Sequence, residues 1–267
     1  MLKKLFHPFI LYIRLSNPFM KHKLIITRKA PIPNGVPIIF VANHSCVHDA
    51  PVILASVRKH TYILSEESFK QTFAGFQLSL NGAIWVKRGD RKSGERAKYE
   101  AVKLLKRKTS LLVFAEGTWN TTDNILMLPF HKGVIDIAKE SNATIVPIVT
   151  DYSDKSCRVD IGEPFFVNEG ASSVDEAARL RDTMATIKWE IIENSIANRI
   201  ETSKAHHEEY VRFLHSELSV WDTEKETAAI LKLHDTAEEA FAHLRHIEIN
   251  KDNAFLLRPN RNEVSSI

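Results

Sequence analysis

The stretch VPIIFVANHSCVHDAP, residues 36–51, decides how the fold is interpreted. Residues 37–42 form an apolar run that small polar residues end at once, a pattern typical of a buried strand entering a loop. His44 follows this strand, and Asp49 stands where the next helix is expected to begin. There an imidazole can act as a general base while the carboxylate fixes its tautomer. Alone, a pair with this spacing also fits a helix cap beside a surface histidine.

Strands and helices alternate along the middle of the chain. Besides residues 37–42, short apolar runs predict strands at residues 23–27, 62–64, 83–86, 111–114 and 144–149. Helical patterns predict helices at residues 49–58, 66–80, 93–106 and 130–139, and from residue 173 onward. We therefore predict an α/β fold whose mixed, mostly parallel sheet is flanked by helices.

The two ends of the chain differ from this α/β domain, which we assign to residues 23–200. Residues 1–22 predict an amphipathic helix with apolar and basic faces, which would lie on a membrane or pack on the protein's own core. Residues 201–257 predict a helical extension that docks on the domain or joins two copies in a homodimer. Residues 258–267 are predicted to be a disordered tail.

Composition narrows the classes of partner. The net charge is +3, and the first acidic residue is Asp49, so the basic front end indicates an anionic partner such as a membrane, a nucleic acid or a phosphate. No recognisable module interleaves basic and stacking aromatic residues, which argues against nucleic acid. No early apolar run approaches the roughly 20 residues that span a bilayer. The 2 cysteines lack Cys-x-x-Cys spacing, which fits a reducing compartment without a zinc site.

Basic residues lie at the end of one predicted strand and at the start of one predicted helix. In NGAIWVKRGDR, residues 81–91, a strand ends in Lys87, Arg88 and Arg91, and arginine can bind a phosphate with two hydrogen bonds. Lys132, at the start of a later helix, adds another cation. The alternative for the first group is an ordinary charged loop.

A carboxylate follows the strand in LLVFAEGTWN, residues 111–120. Burying Glu116 is costly unless it forms hydrogen bonds, so we expect it to bind substrate hydroxyls or to be satisfied within a turn. Gly117 allows a tight turn and exposes backbone N–H groups to a ligand.

Two other classes of protein compete with a base-catalysed enzyme. Ser45 or Cys46, beside His44, would fit a hydrolase that forms an acyl-enzyme, although the Gly-x-Ser-x-Gly turn is missing. His48 is a rival base. A catalytically silent lipid-binding protein, with the C-terminal helices as its working part, is the second alternative.

Taken in order, the segments resemble the glycerolipid acyltransferase family, which includes the bacterial 1-acylglycerol-3-phosphate acyltransferases. The resemblance rests on NHxxxxD from His44 to Asp49, GxIxxxR from Gly82 to Arg88, FxEGT from Phe114 to Thr118, and an apolar strand that contains proline. It covers residues 37–164 and does not extend to the C-terminal helices.

This resemblance implies transfer of a fatty acyl group from a thioester, carried by coenzyme A or acyl carrier protein, to the hydroxyl of a lysophospholipid such as 1-acylglycerol-3-phosphate. No cofactor is expected beyond that co-substrate, and the enzyme is expected at the cytoplasmic face of an anionic membrane, peripheral or monotopic. His44 matches the catalytic base and Asp49 its orienting carboxylate. Substrate binding is assigned to the second and third motifs and a nearby cation, namely Gly82, Arg88, Glu116, Gly117, Thr118 and Lys132.

The third motif departs from the family's usual FPEGTR at two positions, where Ala115 replaces proline and Trp119 replaces arginine. If that arginine contacts the acceptor phosphate, the contact must come from Lys87, Arg91 or Lys132. Otherwise the acceptor is a different lysolipid or carries no phosphate.

Overall fold

A computed structural model describes residues 23–120, 125–153 and 156–196. The predicted N-terminal helix (1–22), helical extension (201–257) and tail (258–267) lie outside these residues. The described residues form seven strands: β1 (Lys23–Lys29), β2 (Ile38–Ala42), β3 (Tyr62–Glu66), β4 (Ala83–Val86), β5 (Ser110–Phe114), β6 (Thr144–Ser153) and β7 (Ser156–Ile161). They also form five α-helices: α1 (Asp49–Val57), α2 (Phe73–Asn81), α3 (Arg91–Leu105), α4 (Gly133–Ser141) and α5 (Ser173–Ile196).

The strands make one sheet in the order β1-β7-β6-β2-β5-β3-β4. Strands β6, β2, β5, β3 and β4 are parallel to one another, while β7 pairs with β6 antiparallel and β1 runs with β7. The predicted mixed, mostly parallel sheet flanked by helices is confirmed. Because five strands share one direction, their carboxyl ends meet at one edge of the sheet, where ligands bind in open α/β folds.

The central strand β2 explains why both faces of the sheet are covered. Every one of its residues is buried, and successive side chains point to opposite faces. Ile39 and Val41 join a core with α3, α4 and α5, whereas Ile38, Phe40 and Ala42 join a second core with α1. Since helices occupy both faces, the carboxyl edge is where side chains at the strand ends can meet a substrate.

The single helix predicted over residues 66–80 is wrong. Strand β3 continues to Glu66, a 3₁₀ turn follows at Glu67–Gln71, and α2 starts only at Phe73. Thr72 separates the two because its backbone is extended (φ −86°, ψ 162°) and its side-chain oxygen accepts the Gly75 N–H at 3.0 Å. This oxygen caps the first turn of α2.

Candidate active site

His44 leaves β2 at the carboxyl edge and meets Asp49, the first residue of α1. The His44 Nδ1–Asp49 Oδ2 distance is 2.8 Å. The backbone N–H groups of Ser45 and Cys46 donate to the same oxygen at 2.6 and 2.9 Å, and the Tyr152 hydroxyl donates to Oδ1 at 2.7 Å. The structure therefore brings the predicted histidine and carboxylate together and holds the carboxylate with further hydrogen-bond donors.

The charge of Asp49 follows from these contacts. Its side chain is fully buried, and burial alone raises the pKa of a carboxyl group. The hydrogen bond and charge of His44, with the Cys46 N–H and the Tyr152 hydroxyl, outweigh burial, so the pKa of Asp49 lies below its usual value. Burial, and then the neighbouring Asp49 charge, raise the pKa of Tyr152 well above its usual value, so this hydroxyl keeps its proton and donates it.

Two independent contacts assign the tautomer of His44. An ionised Asp49 only accepts hydrogen bonds, so Nδ1 must carry the proton. On the other side of the ring, the Trp119 indole Nε1–H donates to Nε2 at 2.9 Å, and an indole nitrogen can only donate. Nε2 therefore holds a lone pair, which is what a general base needs.

The loop after β5, residues 115–120, contains most of the third motif and is called the third-motif loop; it holds the backbone of His44. Glu116 Oε1 accepts the His44 N–H at 2.9 Å, and the His44 carbonyl accepts the Asn120 N–H at 2.8 Å. The second Glu116 oxygen accepts the Leu128 N–H at 2.8 Å. The ring of His44 also stacks on Phe114, with centroids 4.0 Å apart. These contacts fix the position of the imidazole as well as its tautomer.

Glu116 forms its hydrogen bonds within the protein, and its predicted contact with substrate stays a prediction. Its side chain is 0% exposed, and both of its oxygens accept backbone N–H groups. Burial raises its pKa to about 8, although the hydrogen bonds from Leu128 and His44 oppose that shift. This geometry makes Glu116 a residue that positions His44.

Gly117 and Thr118 also lie inside the loop. Gly117 has φ +69°, a conformation that favours glycine, and an added Cβ would lie 2.7 Å from two atoms of the His131 ring, so that side chain would have to shift. Thr118 is 1% exposed. Both residues shape the wall of the site in this structure, and their contact with substrate stays a prediction.

Gly82, which was predicted to bind substrate, does not lie with the other predicted site residues, and its contact with substrate stays a prediction. It precedes β4, so it lies at the amino edge of the sheet, about 13 Å away from the carboxyl edge for a strand of four residues. It ends α2 in a left-handed conformation (φ 108°), and its N–H donates to the Leu78 carbonyl at 2.9 Å. Its glycine is thus explained by the helix cap.

The side chains predicted to bind a phosphate lie in different surroundings in the structure. Arg88 follows β4 at the carboxyl edge, is exposed, and its Nε pairs with Glu66 at 3.1 Å. Desolvation, and then the charge of Arg88, lower the pKa of His131, which contacts Gly117. Arg88 thus lies near the third-motif loop, and exposed Lys132 follows His131 directly.

Arg91, by contrast, extends from α3 into solvent, where it pairs with Glu95 at 3.1 Å. Lys87, the remaining candidate, follows β4 directly, and its backbone N–H donates to the Ser93 hydroxyl at 2.9 Å.

The contacts of Trp119, Tyr152 and Asn120 were missed by the sequence reasoning, which noted Trp119 only for the arginine it replaces. Its side chain is 3% exposed and its N–H is directed at the base. Tyr152 lies beyond the predicted end of its strand. The rival nucleophile Cys46 is fully buried, with Sγ 3.9 Å from Asp49 Oδ1, so its thiol faces a carboxylate and not solvent.

Neither a metal site nor a membrane span appears among the described residues. Within residues 23–120, 125–153 and 156–196, no three His, Cys, Asp or Glu side chains are grouped to hold a metal ion. No helix in the same ranges is both long enough and apolar enough to cross a bilayer.

Comparison with known proteins identifies the fold and the family. Residues 23–151, which include the His44–Asp49 pair and the third-motif loop, match the family model described as Acyltransferase. These residues are an acyltransferase domain. The prediction of the glycerolipid acyltransferase family, and with it of an O-acyltransferase, is confirmed.

Relatives of this acyltransferase carry a common name. A 1-acyl-sn-glycerol-3-phosphate acyltransferase of Borreliella burgdorferi is 26% identical over 189 residues, which are 68% of this chain and 73% of that protein. One from Saccharomyces cerevisiae is 30% identical over 115 residues, but this alignment spans only 38% of the yeast protein. The match to one from Chlamydomonas reinhardtii likewise spans 39% of that protein.

A solved structure shares the fold of the acyltransferase. The crystal structure of the 1-acyl-sn-glycerophosphate acyltransferase PlsC from Thermotoga maritima superimposes with a TM-score of 0.59 at 19% identity, covering 71% of this chain and 80% of that one. At this identity the likeness supports the fold alone. The names of the relatives support a role in glycerolipid synthesis.

Proposed function

We propose that this acyltransferase moves a fatty acyl group from an acyl thioester, on coenzyme A or acyl carrier protein, to the hydroxyl of a lysophospholipid. The acceptor we favour is 1-acylglycerol-3-phosphate. One observation carries the proposal: His44 has its Nδ1 proton held by a buried, ionised Asp49, so Nε2 is left as a base at the carboxyl edge of the sheet. The shared name of the relatives supports the choice of acceptor.

The reaction needs one base and no covalent enzyme intermediate, because a thioester is already activated. His44 Nε2 takes the proton of the acceptor hydroxyl while its oxygen attacks the thioester carbonyl carbon. The new C–O bond forms, the C–S bond breaks, and the imidazolium returns the proton to the leaving sulfur to give a free thiol. Asp49 stabilises the imidazolium between these two steps, as the aspartate of a catalytic triad does.

The acceptor headgroup would bind beside this base. Arg88 is exposed at the same edge, where its Nε pairs with Glu66, and a guanidinium group can bind a phosphate with two hydrogen bonds. Lys132 is exposed and follows His131 in the chain. Trp119 supplies no charge and is directed at the base, so Arg88 and Lys132 are the cations that we assign to the phosphate. An acceptor without a phosphate is the alternative that the Trp119 position keeps open.

We further propose that the enzyme works on the cytoplasmic face of an anionic membrane, peripheral or monotopic. The basic, amphipathic sequence of residues 1–22 supports this. Phe73 and Phe76 support it as well, since they are 77% and 57% exposed on α2, which begins near the carboxyl edge. In vesicle sedimentation, a Phe73→Ser/Phe76→Ser variant should bind anionic vesicles less than the wild type does; equal binding would exclude a role for these side chains.

The proposed activity is tested with the purified full chain and a panel of lysolipids. A long-chain acyl-CoA or acyl carrier protein thioester is incubated with lysolipids that carry or lack a terminal phosphate, and products are identified by mass. We expect the diacyl product of 1-acylglycerol-3-phosphate, its loss in His44→Ala, and its retention in the rival-base control His48→Ala. Free fatty acid as the main product, or unchanged transfer by His44→Ala, would refute the proposal.

A further inference from the structure

The lone pair that the proposed reaction needs is already engaged. Trp119 donates its indole N–H to His44 Nε2 at 2.9 Å, and the two rings meet edge to face with centroids 5.8 Å apart. The unprotonated nitrogen of a neutral imidazole, here Nε2, has a single lone pair in the plane of the ring that can accept a proton. It cannot take up a proton from an acceptor hydroxyl while it accepts the indole proton.

The imidazole cannot resolve this conflict by turning away. Its Nδ1 is held by Asp49, its ring stacks on Phe114, and its backbone is held by Glu116 and Asn120. Rotation of the indole about its own side-chain bonds would break the contact and leave the hydrogen bonds of Glu116 and Asn120 to the His44 backbone in place. The group that leaves is therefore the indole.

We propose that Trp119 is a positioning residue that caps the base until the acceptor hydroxyl displaces it, and so favours acyl transfer to lipid over transfer to water. This inference rests on the proposed function, since it assumes a bound acyl thioester. A lysolipid can use the binding energy of its headgroup and acyl chain to displace the indole. A water molecule can displace the indole only with the hydrogen bonds that it forms itself.

The competing reaction that the cap suppresses is thioester hydrolysis. In it, water attacks the carbonyl carbon as Nε2 takes one of its protons. The C–O bond forms, the C–S bond breaks, and the proton returns to sulfur, which yields a fatty acid and a thiol. Without a free lone pair at Nε2, this route lacks its base.

Trp119→Phe tests the cap because phenylalanine keeps an aromatic ring in the buried position but has no N–H. We expect hydrolysis of a long-chain acyl-CoA without acceptor to rise roughly 3- to 10-fold, the effect of one hydrogen bond, and the ratio of transfer to hydrolysis to fall. Trp85→Phe, which makes the same change on β4, should alter neither rate. An unchanged ratio in Trp119→Phe would overturn the proposal.

A second measurement does not depend on acyl transfer. Diethyl pyrocarbonate reacts with the lone pair of a neutral imidazole, and at His44 that lone pair is on Nε2. We expect Trp119→Phe to raise the rate at which the His44 peptide is modified, while His60, whose Nε2 contacts the Asn81 carbonyl, serves as the internal reference. Faster modification without any transfer to lipid would keep the cap and reject the proposed function. An unchanged rate would reject the cap, whatever the activity.

If Trp119→Phe fails to fold, the contact can be tested from its other side. In protein labelled with ¹⁵N-tryptophan, His44→Ala removes the acceptor, so the indole N–H resonance of Trp119 should shift and exchange faster with solvent. The same spectrum should be unchanged at Trp85. An unmoved Trp119 resonance would overturn the proposal.

Discussion

Replacing Asp49 with asparagine is expected to slow acyl transfer by roughly 10²- to 10³-fold without reversing the tautomer of His44. Asp49 Oδ2 accepts three N–H groups, from His44 Nδ1 and from the backbone of Ser45 and Cys46. An asparagine will therefore place its carbonyl oxygen there and its NH₂ at the Oδ1 position. There it can donate to the Tyr152 hydroxyl, which lies 2.7 Å from Oδ1.

The magnitude comes from the lost charge. A carboxylate and an imidazolium about 4 Å apart attract each other by about 4 kcal/mol at an effective dielectric constant of about 20. That attraction is greater in the transition state, where the proton has moved to His44, than in the resting enzyme. Its loss sets an upper limit of roughly 10³-fold on the fall in kcat. A reversed tautomer would cost more, because Nε2 would then carry the proton.

The assay follows thiol release from acyl-CoA at saturating acceptor, with circular dichroism as the check on folding. Asp160→Asn is the matched control, because Asp160 is also a buried carboxylate but pairs with Arg28 at 2.9 Å, outside the His44 contacts. We expect Asp160→Asn to transfer acyl groups at the wild-type rate. A folded Asp49→Asn variant within threefold of the wild type would refute the charge argument, and complete inactivity would indicate a reversed tautomer.

Two further substitutions test the loop that holds the base. Gly117→Ala should lower the free energy of unfolding by about 1–2 kcal/mol, because it strains a residue at φ +69° and crowds His131; His131→Ala should relieve only part of this loss in denaturant titrations. Glu116 has its pKa raised from 4.5 to about 8, so its protonated form stabilises the fold below pH 4.5. As pH rises towards about 8, the wild type should lose on the order of a few kcal/mol relative to Glu116→Gln; parallel stability curves would contradict this assignment.

Local sequence patterns predicted the structural features that are formed by residues close together in the chain. The His44–Asp49 pair lies within one strand-to-helix junction, so five residues of spacing were enough to predict it. Apolar Cys157, Val159 and Ile161 alternate with polar residues along β7, and this was a usable signal for a strand that the prediction did not include. The break at Thr72 was harder to see, since it depends on one extended residue inside an otherwise helical pattern.

Contacts between residues far apart in the sequence determine the features of the site that local patterns did not predict. Sequence reasoning required a partner for a buried Glu116 but could not choose between a substrate and the protein. Its partners proved to be the backbone of His44, 72 residues away, and of Leu128. Tyr152 reaches Asp49 across 103 residues, and no local pattern indicates that contact. Gly82 shares a motif with Arg88, but the two residues lie at opposite ends of β4, which the motif's spacing does not show.

The contacts of the third-motif loop change what the residue at position 119 means for specificity. Glu116 and Asn120 hold the backbone of His44, and Trp119, between them in the chain, holds its Nε2. All of these contacts act on the base, and none of them involves Arg88 at the same edge of the sheet. Exchanging arginine for tryptophan therefore adds a contact to the base besides removing a cation. An acceptor phosphate would then depend on Arg88 and Lys132, so substitution of those two residues should separate phosphorylated from uncharged acceptors, and substitution of Trp119 should not.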